Sequence, residues 1–232
     1  MQNENEKFSK QYLKEDISVI KKYIFKNFII ISFIFSSSVF AETKYLSEEN
    51  KEDQWTVDVL VIDDKPVDVI ASVNGKITHG DRLRIKIPIV DESWCDSGQL
   101  FTTFYTTINN PSIEELKGKT ILGTAKYKKV TEKINFKVAI SIKSMLGDLV
   151  FLDMGTYDID FFKKILKKSE QLTIELHYGS EFKVSDYFDI PKNTFVMNGV
   201  NNALDRARAE CLKIVKENDR VKSGLKKINN EN

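Results

Sequence analysis

Histidine and cysteine are nearly missing from this chain: each occurs twice in 232 residues. His79 and His177 stand at no CxxC or helical spacing from Cys95 or Cys211, so no zinc-type ligand set can be written, and neither a metal nor a cofactor is expected. So few imidazoles also leave little room for acid–base chemistry. The patterns G-x-S-x-G, GxGxxG, P-loop and HExxH are all absent, and no catalytic residue is assigned. An excess of one charge is lacking as well. With 35 basic and 34 acidic residues the net charge is +1, which gives no electrostatic case for nucleic acid. Long apolar runs are missing except at 28–41, FIIISFIFSSSVFA, and that run is shorter than the roughly 20 residues a spanning helix needs. There is no internal repeat and no low-complexity linker.

That one apolar run organises the rest. Lys21, Lys22 and Lys26 precede it, and it ends in Val39-Phe40-Ala41. A basic lead, an apolar middle and a small-residue end are the parts of a secretory signal peptide, here 21–41. Cleavage after Ala41 would make the protein periplasmic or secreted. The alternative is an uncleaved anchor over 23–41 in the inner membrane, the only way this chain would meet a membrane. A polar extension, 1–20, stands ahead of the lysines; it signifies either a later translation start or an anchor with a cytoplasmic tail. Export makes a Cys95–Cys211 disulfide the natural state of the two thiols.

Past a charged lead-in at 42–54, period-2 patterns dominate. Strands are expected at 55–62 and 67–73 around the turn Asp63-Asp64-Lys65-Pro66, with Asn74-Gly75 as a type I′ hairpin turn. Leu83, Ile85, Ile87 and Ile89 alternate with polar residues, and Pro88 puts that strand at an edge or ends it. A strand at 99–108 follows, and Ser112 with Glu115 fits a capping box. Segments 120–130 and 133–143 read as a hairpin. In the second, Ile134, Phe136, Val138, Ile140 and Ile142 all point one way. Segment 149–154 returns. The period then changes, and 158–166 reads as a short helix with Phe161, Phe162, Ile165 and Leu166 on its apolar face. Segments 172–178 and 181–188 are expected to pair across Gly179-Ser180. A long helix at 200–221 carries Leu204, Ala207, Cys211, Ile214 and Val215 as its stripe, with a polar tail at 223–232. The fold class is mainly β: an antiparallel β-sandwich or curved sheet with one short helix and a longer C-terminal helix, one domain over 55–222.

Asp91, Glu92 and Asp96 surround Trp94 in the loop that holds Cys95. Carboxylates beside an aromatic suit a sugar or a cation, and glycoside chemistry if a second carboxylate faced them. The plainer alternative is a solvated loop whose Trp rests on the disulfide. Residues 195–211, FVMNGVNNALDRARAEC, resemble the closing segment of small exported bacterial proteins of the invasion-associated-locus-B type. In those, an aromatic strand end, a Gly, an aliphatic and an Ala-Leu pair lead into a helix that can carry a cysteine. The matching residues here are Phe195, Gly199, Val200, Ala203, Leu204 and Cys211. The resemblance implies a compact periplasmic β-sandwich with no established active site. The expectation is therefore an exported, non-catalytic protein that acts on another protein, as an inhibitor, an immunity-type partner or an envelope accessory factor. The alternatives are a small-molecule or glycan-binding module built on the Trp94 loop, or a hydrolase of unrecognised type.

Overall fold

The computed structural model describes residues 41–45, 55–78, 80–144, 147–166, 169–179 and 181–230. The polar extension 1–20, the signal or anchor segment up to residue 40, the lead-in 46–54 and His79 lie outside them. The described residues belong to one unit, Ala41–Asn232. They hold ten strands in one antiparallel sheet: β1 (Ala41–Tyr45), β2 (Trp55–Ile62), β3 (Lys65–Asn74), β4 (Arg82–Pro88), β5 (Ser97–Thr106), β6 (Thr120–Tyr127), β7 (Val130–Lys143), β8 (Asp148–Asp158), β9 (Gln171–Gly179) and β10 (Lys192–Val196). Their spatial order is β1-β2-β3-β4-β5-β8-β7-β6-β9-β10. The fold is thus the curved-sheet form of the expected class. The lead-in is not wholly irregular, because Ala41–Tyr45 pairs with β2.

The sheet curls without closing into a barrel. Gly75, just past β3, makes an isolated bridge with Phe195 in β10, and Lys76 N–H donates to the Thr194 carbonyl at 2.9 Å. The Trp55 indole N–H donates to the Val196 carbonyl at 3.0 Å. These contacts occupy edge groups of β10 that would otherwise invite another strand. The inward side chains Trp55, Val57, Val69, Ala71, Leu83, Ile85 and Ile87 of β2, β3 and β4 are buried. They receive α2 (Val200–Asn230), whose stripe Leu204, Ala207, Cys211, Ile214 and Val215 is buried as its helical spacing requires. The disulfide joins Cys211 to Cys95, with Sγ–Sγ 2.08 Å and Cα–Cα 5.7 Å. A shorter helix, α1 (Ile159–Leu166), is capped by Asp158, whose Oδ1 accepts from the Asp160 and Phe161 amides. Its buried face is Ile159, Phe162 and Leu166; Phe161 instead lies outside, stacked on Tyr157. Among the described residues no helix is long and apolar enough to cross a membrane.

Three local readings change. Asn74-Gly75 is no hairpin turn: β3 and β4 are joined by residues 75–81, and Gly75 does not take positive φ. Glycine is needed there for a different reason, since a Cβ would overlap the side-chain amide of Asn193. Segment 181–188 is not a strand. Val184, Tyr187 and Phe188 are all buried, and their i, i+3, i+4 spacing suits a 3-10 turn (Val184–Asp186), so β10 takes the place beside β9. At the other end of the chain, α2 runs on through the expected polar tail to Asn230.

Candidate functional site

Asp91, Glu92, Trp94 and Asp96 do not converge on one point. Residues Glu92–Asp96 form a single 3-10 turn, and Asp91 is its cap, accepting from the Ser93 amide at 2.9 Å and the Ser93 hydroxyl at 2.5 Å. Glu92 is exposed, Trp94 is half-buried and Cys95 is fully buried. Asp96 turns the other way and pairs with Arg208 of α2 at 2.5 Å. There it joins Asp158 and Asp160 around a hollow of about 120 Å³. One of the loop's acids is thus spent on a cap and another on fastening α2 beside the disulfide.

A different surface stands out on β7 and β8. β7 and β8 stay in simple register as far as Val138↔Leu152; the next pair is Ile140↔Phe151, which leaves Ala139 as an extra residue, a β-bulge. Strand residues alternate faces, so one extra residue reverses every side chain beyond it. Phe136 and Val138 before the bulge are buried, whereas Ile140 and Ile142 after it are 36% and 49% exposed. Ser141 takes the inward-facing register instead, and its hydroxyl donates to Glu114. Ile140 and Ile142 stand opposite Phe151 and Leu149, and these in turn stand opposite Thr103 and Tyr105 of β5. The result is an apolar band on β7 and β8, bordered on β5 by the buried Thr103 and the half-buried Tyr105, of the kind that marks a contact surface.

Cations border this band on one side. The Arg84 guanidinium lies 5.2 Å from the Phe151 ring centroid and donates to the Thr103 hydroxyl at 2.8 Å. Burial, with Arg82 beside it, pushes Arg84 down to about 10, which leaves it cationic at neutral pH. Lys86 lies 5.7 Å from the Phe101 ring and pairs with Asp68 at 3.7 Å. Arg and aromatics fixed in place around exposed aliphatics are the composition of protein-binding hot spots. No nucleophile–base pair belongs to this surface. His177 sits elsewhere, exposed on β9 and 2.9 Å from the Thr124 hydroxyl. Among the described residues no group of three His, Cys, Asp or Glu side chains is placed to hold a metal ion. The band could not be foreseen from the chain, because β7 carries no glycine or proline to mark the bulge. Neither the family models nor the curated proteins nor the solved structures contain a match to this chain.

Proposed function

We propose that this chain is an exported, non-catalytic protein that works by holding another protein, as an inhibitor, an immunity-type partner or an envelope accessory factor. The observation that carries this reading is the outward display of Ile140 and Ile142 by the bulge at Ala139, next to Phe151 and Leu149. Exposing two large aliphatics on a strand that could have buried them is unfavourable for the isolated domain, at about 25 cal/mol per Å² of apolar surface. A partner that covers them recovers that energy. The disulfide supports an oxidising destination, with 21–41 as the export signal and the periplasm or the exterior as the compartment. The resemblance of 195–211 to the invasion-associated-locus-B type points the same way: Phe195 lies in β10, Gly199 takes φ +84 before α2, and Cys211 is bonded.

The test is co-purification from the native envelope with wild type and with I140K/I142K, whose replaced side chains are already exposed. A partner held by wild type should be lost by about tenfold or more in the variant, with the melting temperature unchanged. Equal recovery by both would overturn the reading. Intact mass of the same sample should begin at Glu42, with both thiols alkylated only after reduction.

A further inference from the structure

β7 outruns β6, its neighbour on one side. β6 begins at Thr120, opposite Lys137. The pairing closes where Val138 N–H donates to the Lys119 carbonyl and Gly118 N–H donates to the Val138 carbonyl, both at 2.9 Å. From Ala139 to Lys143 only β8 flanks the strand among the described residues. Ser144 N–H donates to the Gly147 carbonyl at 2.7 Å, which fixes the alternation of the β7–β8 hairpin. Ile142 turns its backbone groups toward β8, and Ser141 and Lys143 turn theirs away. Those outward N–H and C=O groups meet no hydrogen-bond partner among the described residues. Ile140, Ile142 and Lys143 are exposed and Ser141 is half-buried, so the edge is open. Such an edge is a template for another strand. Side chains beside it select the strand. Ser141 and Lys143 share the face opposite to Ile142. The Ser141 hydroxyl donates to Glu114 in the 3-10 turn Ile113–Leu116, so a carboxylate stands next to the edge. Glu114 and Lys143 are both exposed, and neither forms an ion pair among the described residues.

We infer that two copies of this chain join edge to edge along this part of β7, antiparallel about a two-fold axis at Ile142. Ser141 then faces Lys143 of the second copy, and every outward N–H and C=O group on both edges is hydrogen-bonded. Ile142 meets Ile142, and the ammonium of each Lys143 comes beside the Glu114 carboxylate of the other copy. Centring the pairing on Lys143 would set lysine against lysine. Centring it on Ser141 would set Lys143 against Ala139, the bulge residue, which leaves edge groups unpaired. A foreign strand supplies the hydrogen bonds too, but the Glu114–Lys143 match belongs to this chain and is made twice by the two-fold pairing. Edge pairing leaves the outward faces of Ile140, Leu149 and Phe151 open. It therefore joins two apolar bands without occupying them, and it rests on the bulge and not on the partner proposed above.

Sedimentation velocity and intermolecular cross-linking on the purified, disulfide-bonded protein test this. A short edge gives a weak dimer, so the dimer fraction should rise with protein concentration. Lys143→Pro removes an N–H that points away from β8, at an edge position where proline is accommodated. It should raise the dimer dissociation constant about tenfold or more. Glu114→Lys and Lys143→Glu should each weaken the dimer about three- to tenfold, and the double variant should restore it. Ile142→Cys should form an intermolecular disulfide, because the Cα atoms of a non-hydrogen-bonded pair lie about 4.5 Å apart. Ile140→Cys, also exposed on the same strand, would face Ser144 of the second copy and should not cross-link. A protein that is monomeric at every concentration would overturn the proposal, as would equal cross-linking at the two positions. So would a dimer unchanged by Lys143→Pro and by the single charge variants, or a double charge variant as weak as either single one. No other protein is present in these measurements, so the dimer can fail while the proposed function stands, and the reverse.

Discussion

Asp81 and Asn193 lie 112 residues apart and meet inside the protein, where Asn193 Nδ2 donates to Asp81 Oδ2 at 2.7 Å. The other Asp81 oxygen accepts from the Tyr105 amide at 2.6 Å, and Asn193 Oδ1 accepts from the Ile77 amide at 3.0 Å. Both residues are completely buried. Burial pushes the Asp81 carboxyl up to about 6, against the pull of those hydrogen bonds. The folded protein therefore binds a proton more tightly than the unfolded chain, whose aspartate titrates near 3.8. The sign follows: this group's contribution to stability rises as pH falls from 7 through 6 toward 4, and burial of the charge is a penalty at neutral pH. Asp81→Asn removes that titration. The stability of wild type relative to Asp81→Asn should fall by roughly 2–3 kcal/mol between pH 4 and pH 7, read from urea unfolding at each pH. The Asn variant also brings a pH-independent penalty, because its amide faces the Asn193 amide, so the slope of the difference is the test. A flat difference across that range would refute the assignment.

Among the elements, α2 depends most on a single bond. Its stripe is short-chained, with Ala203, Ala207 and Cys211 among the buried positions, so it contributes less apolar area than a helix of leucines would. The disulfide compensates by tying α2 to the Glu92–Asp96 turn across 116 residues. For a loop of that length the chain-entropy model gives up to roughly 5 kcal/mol. Reduction, or Cys95→Ala with Cys211→Ala, should lower the unfolding free energy by about 3–5 kcal/mol in guanidinium. The Asp96–Arg208 ion pair is half-exposed and adds little beside it. β7 teaches the opposite lesson about elements. Its alternation was clear enough to place the strand, its partner β6 and the buried Phe136 and Val138. The facing of Ile140 and Ile142 was not readable, because a bulge is decided by the neighbouring strand and not by the residues it displaces.

For the molecule as a whole, the run from β1 to β5 follows sequence order, as consecutive hairpins do, and short turns make such neighbours readable. Beyond β5 the order becomes 8-7-6-9-10, and periodicity carries no information about which distant strands pair. That is why the exposed apolar residues of β7 and β8 escaped a linear reading: their grouping needs β5, β8 and β7 side by side. The same limit hid the real role of Gly75, which holds the two far parts of the sheet together through Phe195 and leaves space for Asn193. Gly75→Ala should destabilise the fold by about 2 kcal/mol or more, seen as a lower melting temperature, although alanine is ordinarily tolerated at a glycine with unexceptional φ. The covalent tie has one more effect, on the order of assembly. Cys95 is synthesised 116 residues ahead of Cys211, so it stays a solitary thiol until the chain has been made through Cys211 and α2 has docked. The bond therefore reports that α2 is present and docked: a fragment that stops short of α2 leaves Cys95 without its bonding partner.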